Sequence, residues 1–287
     1  MTGRAHHTDY DEETTRRCER ALLTLVGDLG PWAERIYLVG GLVPRYLVGE
    51  LPKGARDHVG TTDVDLVISL ALGDETPETY QTLQNNLKKA GFKLGQPSFQ
   101  WARDVDGATI FVEFLCETDQ VEPGQIFRPK GESTGSKLGA FNVRGANLAS
   151  ADFIEHQLEG ERLDGGGNSR VTVRVAHLLP YIVLKIFAFQ DRHANKDSYD
   201  LVFTLLNFKG GPRAAGRLAA KSSVSGHEQV LAAVALLGER FRDIDQDGPS
   251  AYATFLAAPD DDDEAARLRR DAVATVTEFL QGFGTAS

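Results

Sequence analysis

Asp63-Val64-Asp65-Leu66-Val67-Ile68 decides how this chain folds. Two carboxylates one residue apart on a strand point the same way, and the apolar run after them makes a strand of the motif. Together they can hold a divalent metal. Upstream, Arg35-Ile36-Tyr37-Leu38-Val39 reads as a buried strand, and Gly40-Gly41 turns it into a short helix through Leu47. The free N–H groups of such a turn can receive a phosphate. A phosphate seat beside a carboxylate pair on a neighbouring strand is what metal-assisted transfer of a nucleotide needs, with magnesium on oxygen ligands bridging protein carboxylates and substrate phosphates.

The Asp-x-Asp spacing recurs twice. Asp104-Val105-Asp106 runs into Gly107 between apolar stretches, where Asp-Gly is the residue choice of a two-residue hairpin turn. Asp243-Ile244-Asp245-Gln246-Asp247-Gly248 opens like a calcium loop, yet Thr254 stands at the twelfth position where a bidentate Glu closes such a site. A third carboxylate supports the first motif. Residues 99–105 and 108–115 read as a hairpin around Asp106-Gly107, and Glu113 is the one acid of Ile110-Phe111-Val112-Glu113-Phe114-Leu115. A lone Glu in a core strand is costly to bury unless it is paired or binds a metal. Beside the Asp63 strand it completes a three-carboxylate cluster; on an edge strand it simply faces water.

At 287 residues the chain has room for one large domain or two modest ones. Cys18 and Cys116 sit in apolar contexts and make no metal spacing, which fits a reduced cytosol. The first 15 residues are polar, and no apolar run approaches a membrane span. A cytoplasmic protein with no membrane partner is expected. The net charge of −10 argues against bulk nucleic-acid affinity, but it is uneven: residues 121–221 carry 14 Lys+Arg against 10 Asp+Glu, the residues before them 12 against 19, and those after them 5 against 12. A local basic surface can bind a polyanion even on an acidic protein.

Residues 11–26 have helical apolar spacing, and Thr76-Pro77 starts a second helix that ends at Gly91. The order helix, strand, helix, strand, helix, hairpin implies an α+β chain with helices on a mixed sheet. Residues 120–144, rich in Gly, Pro, Ser and Lys, read as a long loop able to border a cleft. Residues 157–163 and 170–175 flank Asp164-Gly165-Gly166-Gly167-Asn168 as a second hairpin. From His177 onward only helices are expected, over 178–190, 196–207, 228–241 and 260–279; the acids Asp260 to Glu264 suit the start of the last one.

A second constellation lies in those helices. Lys185 stands inside the apolar Leu184-Lys185-Ile186-Phe187-Ala188-Phe189 and is followed by Arg192, Lys196, Asp197 and Asp200. On one continuous helix Lys185, Arg192 and Lys196 fall in a narrow stripe that could grip a triphosphate. Asn195 could instead cap a new helix at Lys196 and break the stripe. A snorkelling lysine with Lys196 and Asp200 as an i,i+4 pair is the plainer reading.

In order, Gly40-Gly41, Asp63-Val64-Asp65, Glu113, Lys185, Arg192, Lys196-Asp197 and Asp200-Leu201 resemble the AbiEii-type nucleotidyltransferases. These are the toxin components of type IV toxin–antitoxin systems and include the mycobacterial MenT toxins. The resemblance spans roughly residues 35–207. It implies a polymerase β-like nucleotidyltransferase core over 1–175 and a helical domain over 176–287 that completes the cleft for NTP and acceptor. It implies Mg²⁺, one or two ions, on Asp63, Asp65 and Glu113, with NTP as substrate. Gly40, Gly41, Thr61, Thr62, Lys185, Arg192 and Lys196 would bind the nucleotide, and Asp200 would orient Lys185 or Lys196. The acceptor would be a tRNA 3′ end, and the partner a cognate antitoxin. Gly41 stands where many such enzymes have Ser. The Gly40 to Arg45 stretch also looks like the opening of CCA-adding enzymes, although their later Arg-rich segment is missing. Aminoglycoside nucleotidyltransferases share the carboxylate core, and a non-catalytic nucleotide-binding module is the further alternative.

Overall fold

The computed structural model describes residues 6–68, 77–128, 137–163 and 165–284. Thr76, Asp164, residues 129–136 of the expected loop and the first five residues of the polar N-terminus lie outside the described residues. In chain order the elements are α1 (Glu12–Asp28), β1 (Ile36–Val39), α2 (Val43–Leu47), β2 (Asp63–Ile68), α3 (Pro77–Lys89), β3 (Lys93–Leu94), β4 (Gln100–Val105) and β5 (Ala108–Cys116). β6 (Ile126–Phe127), β7 (Ala140–Asn142), α4 (Leu148–Ala151), β8 (Phe153–Glu161) and β9 (Asn168–Ala176) follow. Six helices close the chain: α5 (Leu178–Arg192), α6 (Asn195–Leu206), α7 (Pro212–Ala219), α8 (Glu228–Arg240), α9 (Asp247–Leu256) and α10 (Asp262–Gly284). The chain is α+β, and about half of the described residues are helical.

It divides into two compact units. A sheet unit takes Glu12–Leu42 and Gly60–Ala176; a helical unit takes Met1–Asp11, Val43–Val59 and His177–Ser287. The helical unit therefore draws in α2 and the segment before β2, which lie far upstream of its main body.

The sheet is mixed and open, in the order β3-β4-β5-β2-β1-β9-β8, with β7 paired to β5 and β6. β1 runs antiparallel to β2, and β2 parallel to β5. A parallel pair needs a crossover, and α3, β3 and β4 supply it. The β4–β5 hairpin turns at Asp106 and Gly107, both with positive φ (48° and 83°). That is the type I′ geometry for which Asp-Gly is suited, so this copy of the motif is a turn. Because side chains alternate along strands, Leu38, Leu66 and Val175 share one face. α1 lies on that face, with Leu23 over Gly160 and Gly27 beside Val171. Its Ala21, Leu22 and Leu25 are fully buried there.

Three expectations need correction. Residues 120–144 carry β6 and β7, two strands too short to show periodicity. The second hairpin is longer than its apolar alternation suggests, because β8 starts at Phe153 rather than Gln157. Its Glu155, Gln157, Glu159 and Glu161 are exposed, and β8 ends the strand order of the sheet. In the helical unit α7 and α9 appear where none was expected. The buried residues of α7 are Ala215, Gly216 and Ala219, so it packs by close approach rather than by large apolar side chains. Asp243 accepts a hydrogen bond from the Asp245 N–H (3.0 Å) in the turn before α9. Cys18 and Cys116 are both buried. Among the described residues no helix is long and apolar enough to cross a membrane.

Candidate functional site

In the sheet unit, Asp65 of β2 and Glu113 of β5 are register partners, and Asp63 lies two residues before Asp65. Partners on neighbouring strands point to the same face, so all three carboxylates share the face opposite α1. β5 is paired on both sides, to β2 and to β4, which removes the edge-strand reading of Glu113. Each carboxylate is held. Thr61 Oγ1 donates to Asp63 Oδ1 (2.8 Å), and Thr61 N–H donates to Thr15 Oγ1 on α1 (3.0 Å). Gln100, buried and the β4 register partner of Glu113, donates from Nε2 to Glu113 Oε1 (2.7 Å). Gly40 opens a 3-10 turn, Gly40–Leu42, directly after β1, with φ +72°. A Cβ at Gly40 would sit 1.9 Å from Asp65 Oδ2, so the turn cradles that carboxylate only because the residue has no side chain. Gly41 is buried in the same turn, and Thr62 stands half-buried just before β2.

Among the described residues no group of three His, Cys, Asp or Glu side chains stands arranged to hold a metal ion. The donor chemistry nevertheless fits a hard cation: three carboxylates on one face, no sulfur or imidazole among them, and a cradled Asp65 between Gly40 and Glu113.

The helical unit holds the other predicted residues. α5 ends at Arg192, His193 adopts the left-handed conformation (φ 48°), and α6 starts at Asn195 after Ala194 as N-cap. The continuous stripe of Lys185, Arg192 and Lys196 is therefore broken, and the cap is not Asn195. The corner instead brings the cations onto two buried carboxylates. Lys185 Nζ donates to Asp200 Oδ2 (2.6 Å) and Asp197 Oδ1 (3.2 Å). Lys196 Nζ reaches both oxygens of Asp200 (2.8 and 2.9 Å), and Arg192 grips Asp197 with two parallel bonds (2.7 and 2.8 Å). Asp200 is fully buried, whereas the Arg192 side chain is 63% exposed.

The charges of this cluster follow from competition between burial and pairing. Burial disfavours the Lys185 ammonium, but Asp200 and Asp197 outweigh it and raise its pKa well above the usual lysine value. Burial likewise favours neutral Asp200, and Lys185, Lys196 and a hydrogen bond from His58 hold it well below the usual carboxylate range. Asp197 is lowered against its own burial, by Lys185 and Arg192.

Sequence reasoning missed His58. It reaches α6 from 142 residues upstream and donates from Nε2 to Asp200 Oδ1 (2.9 Å), with its ring against both Tyr199 and Phe203. Burial pushes its pKa down to about 4 despite the Asp200 bond, so the ring is neutral at neutral pH. Residues 51–59 have no periodicity to advertise it. Gln100 and Thr15 were also missed; both are polar residues buried beside a motif, visible only once strand register is known.

No protein-family model, no curated protein and no solved structure matches the chain.

Proposed function

We propose that this protein is a nucleotidyltransferase that moves a nucleoside monophosphate from an NTP to an acceptor hydroxyl. The observation that carries the reading is the common face of Asp63, Asp65 and Glu113 with Asp65 seated against the Gly40 turn. The acceptor oxygen attacks the α-phosphorus in line, the bond to the β-phosphate oxygen breaks, and pyrophosphate leaves. On this reading Glu113 takes the acceptor proton or serves as a third metal ligand. Gln100, donating to its Oε1, orients it for either role. Mg²⁺ on the three carboxylates would supply the charge neutralisation that the triphosphate needs. Backbone N–H groups of the Gly40-Gly41 turn suit phosphate oxygens. The reading rests on the sheet unit alone; the Lys185, Arg192 and Lys196 cluster, one positive charge in excess of its two aspartates, is phosphate-compatible chemistry within the helical unit.

The resemblance to AbiEii-type toxins supports a tRNA 3′ end as acceptor, action in the cytoplasm, and a cognate antitoxin as partner. Incubation with each labelled NTP, Mg²⁺ and a tRNA pool is expected to label the RNA, with labelling abolished by Asp65→Ala. Absence of label with every NTP would overturn the reading. One observation favours a second: Asp63 and Glu113 already hold Thr61 and Gln100, as in a module that binds a nucleotide without turning it over. Calorimetric NTP binding with no labelled product would select it.

A further inference from the structure

Between Asp200 and Glu228 the chain has no carboxylate. Residues 201–227 instead carry Lys209, Arg213, Arg217 and Lys221, four residues apart in each step, in a protein of net charge −10. Arg213 and Arg217 are one turn apart on α7 and are its only exposed positions; Lys209 is exposed before it, beyond the positive-φ Gly210 and Gly211, and Lys221 is exposed just after it. Arg213 donates to Gln281 of α10, and none of the four pairs with a described carboxylate. Elsewhere in this unit pairing is common: Arg192 with Asp197, Arg240 with Asp247, Arg267 with Asp271. None of the four is ion-paired among the described residues, unlike those three arginines.

The other side of α7 is already engaged. Ala215, Gly216 and Ala219 are buried, and a Cβ at Gly216 would lie 2.1 Å from the Phe279 carbonyl of α10. This crossing fixes α7 and leaves no apolar face for a lipid surface, which needs one to insert. Glu278 is the carboxylate nearest in sequence to the crossing on α10. The acids Asp262, Asp263 and Glu264 lie at its far end, about 25 Å away at 1.5 Å per residue. That is roughly three Debye lengths at physiological salt, so they do little to cancel the stripe.

We propose that Lys209, Arg213, Arg217 and Lys221 form a docking surface for the phosphate backbone of a nucleic-acid strand. This does not depend on nucleotidyl transfer, since a chain that only binds its partner would use the same surface. Spacing and charge favour phosphates read in sequence along a strand, without base contacts. The test is fluorescence anisotropy of the full-length protein with a fluorescein-labelled oligouridylate over a range of salt. Four contacts predict a slope of log affinity against log salt of about −3 for a single strand, and the double variant Arg213→Gln/Arg217→Gln reduces it by roughly 1.4. Arg170→Gln, an exposed cation paired with Glu159 on β8, leaves the slope unchanged. If the double variant loses its circular dichroism signature, Lys209→Gln/Lys221→Gln carries the same expectation. An unchanged slope in the stripe variants, an equal drop in Arg170→Gln, or binding only to phosphatidylserine vesicles overturns the proposal.

Discussion

The stability of this protein should fall as pH drops from 7 toward 5, and His58 should be a principal cause. Its folded pKa is about 4 against 6.5 for an unperturbed histidine. Between those values the unfolded chain binds a proton that the folded chain refuses. Stability contributed by the neutral ring is therefore complete above pH 6.5 and lost progressively as pH falls toward 4. The shift of about 2.5 units corresponds to roughly 3 kcal/mol in full, of which about 2 kcal/mol is lost between pH 7 and pH 5. Asp200 has its folded pKa depressed, so its own contribution persists above the unfolded carboxylate range and is not lost in this window. The perturbation is His58→Gln, which keeps an N–H donor near Asp200 and cannot titrate. Urea unfolding followed by far-UV circular dichroism, which reports the helices, gives the stability of each protein at both pH values. The variant is expected to lose about 2 kcal/mol less than wild type across the interval, whatever its stability at neutral pH. Equal losses in the two proteins would refute a neutral, buried His58.

Two further outcomes follow from close backbone approaches. Gly40→Ala puts a Cβ at the Asp65 carboxylate and a side chain at φ +72°; it is expected to cost about 1–3 kcal/mol of stability and, on the transfer reading, to abolish RNA labelling, measured by urea unfolding and by the labelling assay on the same preparation. Gly216→Ala drives a Cβ into the Phe279 carbonyl, and Gly282→Ala does so 2.2 Å from the Arg213 carbonyl; each should destabilise the helical unit by about 1–3 kcal/mol or more, read as a lower urea midpoint, while an exposed Gly226→Ala changes little.

The sheet was largely legible because its information is local. Asp-Gly at 106–107 demands positive φ, and the structure has it there; the alternation of 63–68 and 108–116 gives both strands. The neighbourhood of Asp65 and Glu113 was inferable only as a possibility, since register is settled by non-local pairing. The helical corner was less legible. A heptad-like stripe and a break at 193–194 are nearly indistinguishable when no glycine or proline marks the stop, and the left-handed turn falls on a histidine. His58 was invisible for a different reason: its partner is 142 residues away and its surroundings carry no pattern. α7 escaped because apolar periodicity cannot detect a helix whose buried side is Ala and Gly.

β8 has a consequence for how the molecules tolerate one another in concentrated solution. A nine-residue strand at the end of a sheet invites a second copy to zip onto it. In antiparallel registers centred on Gln157 or Leu158, Glu155 would meet Glu159 or Glu161 of the other copy. Those carboxylates already pair within the chain, Glu155 with Arg174, Glu159 with Arg170 and Glu161 with Arg20, so a second copy would have to crowd two such ion pairs against each other along its border.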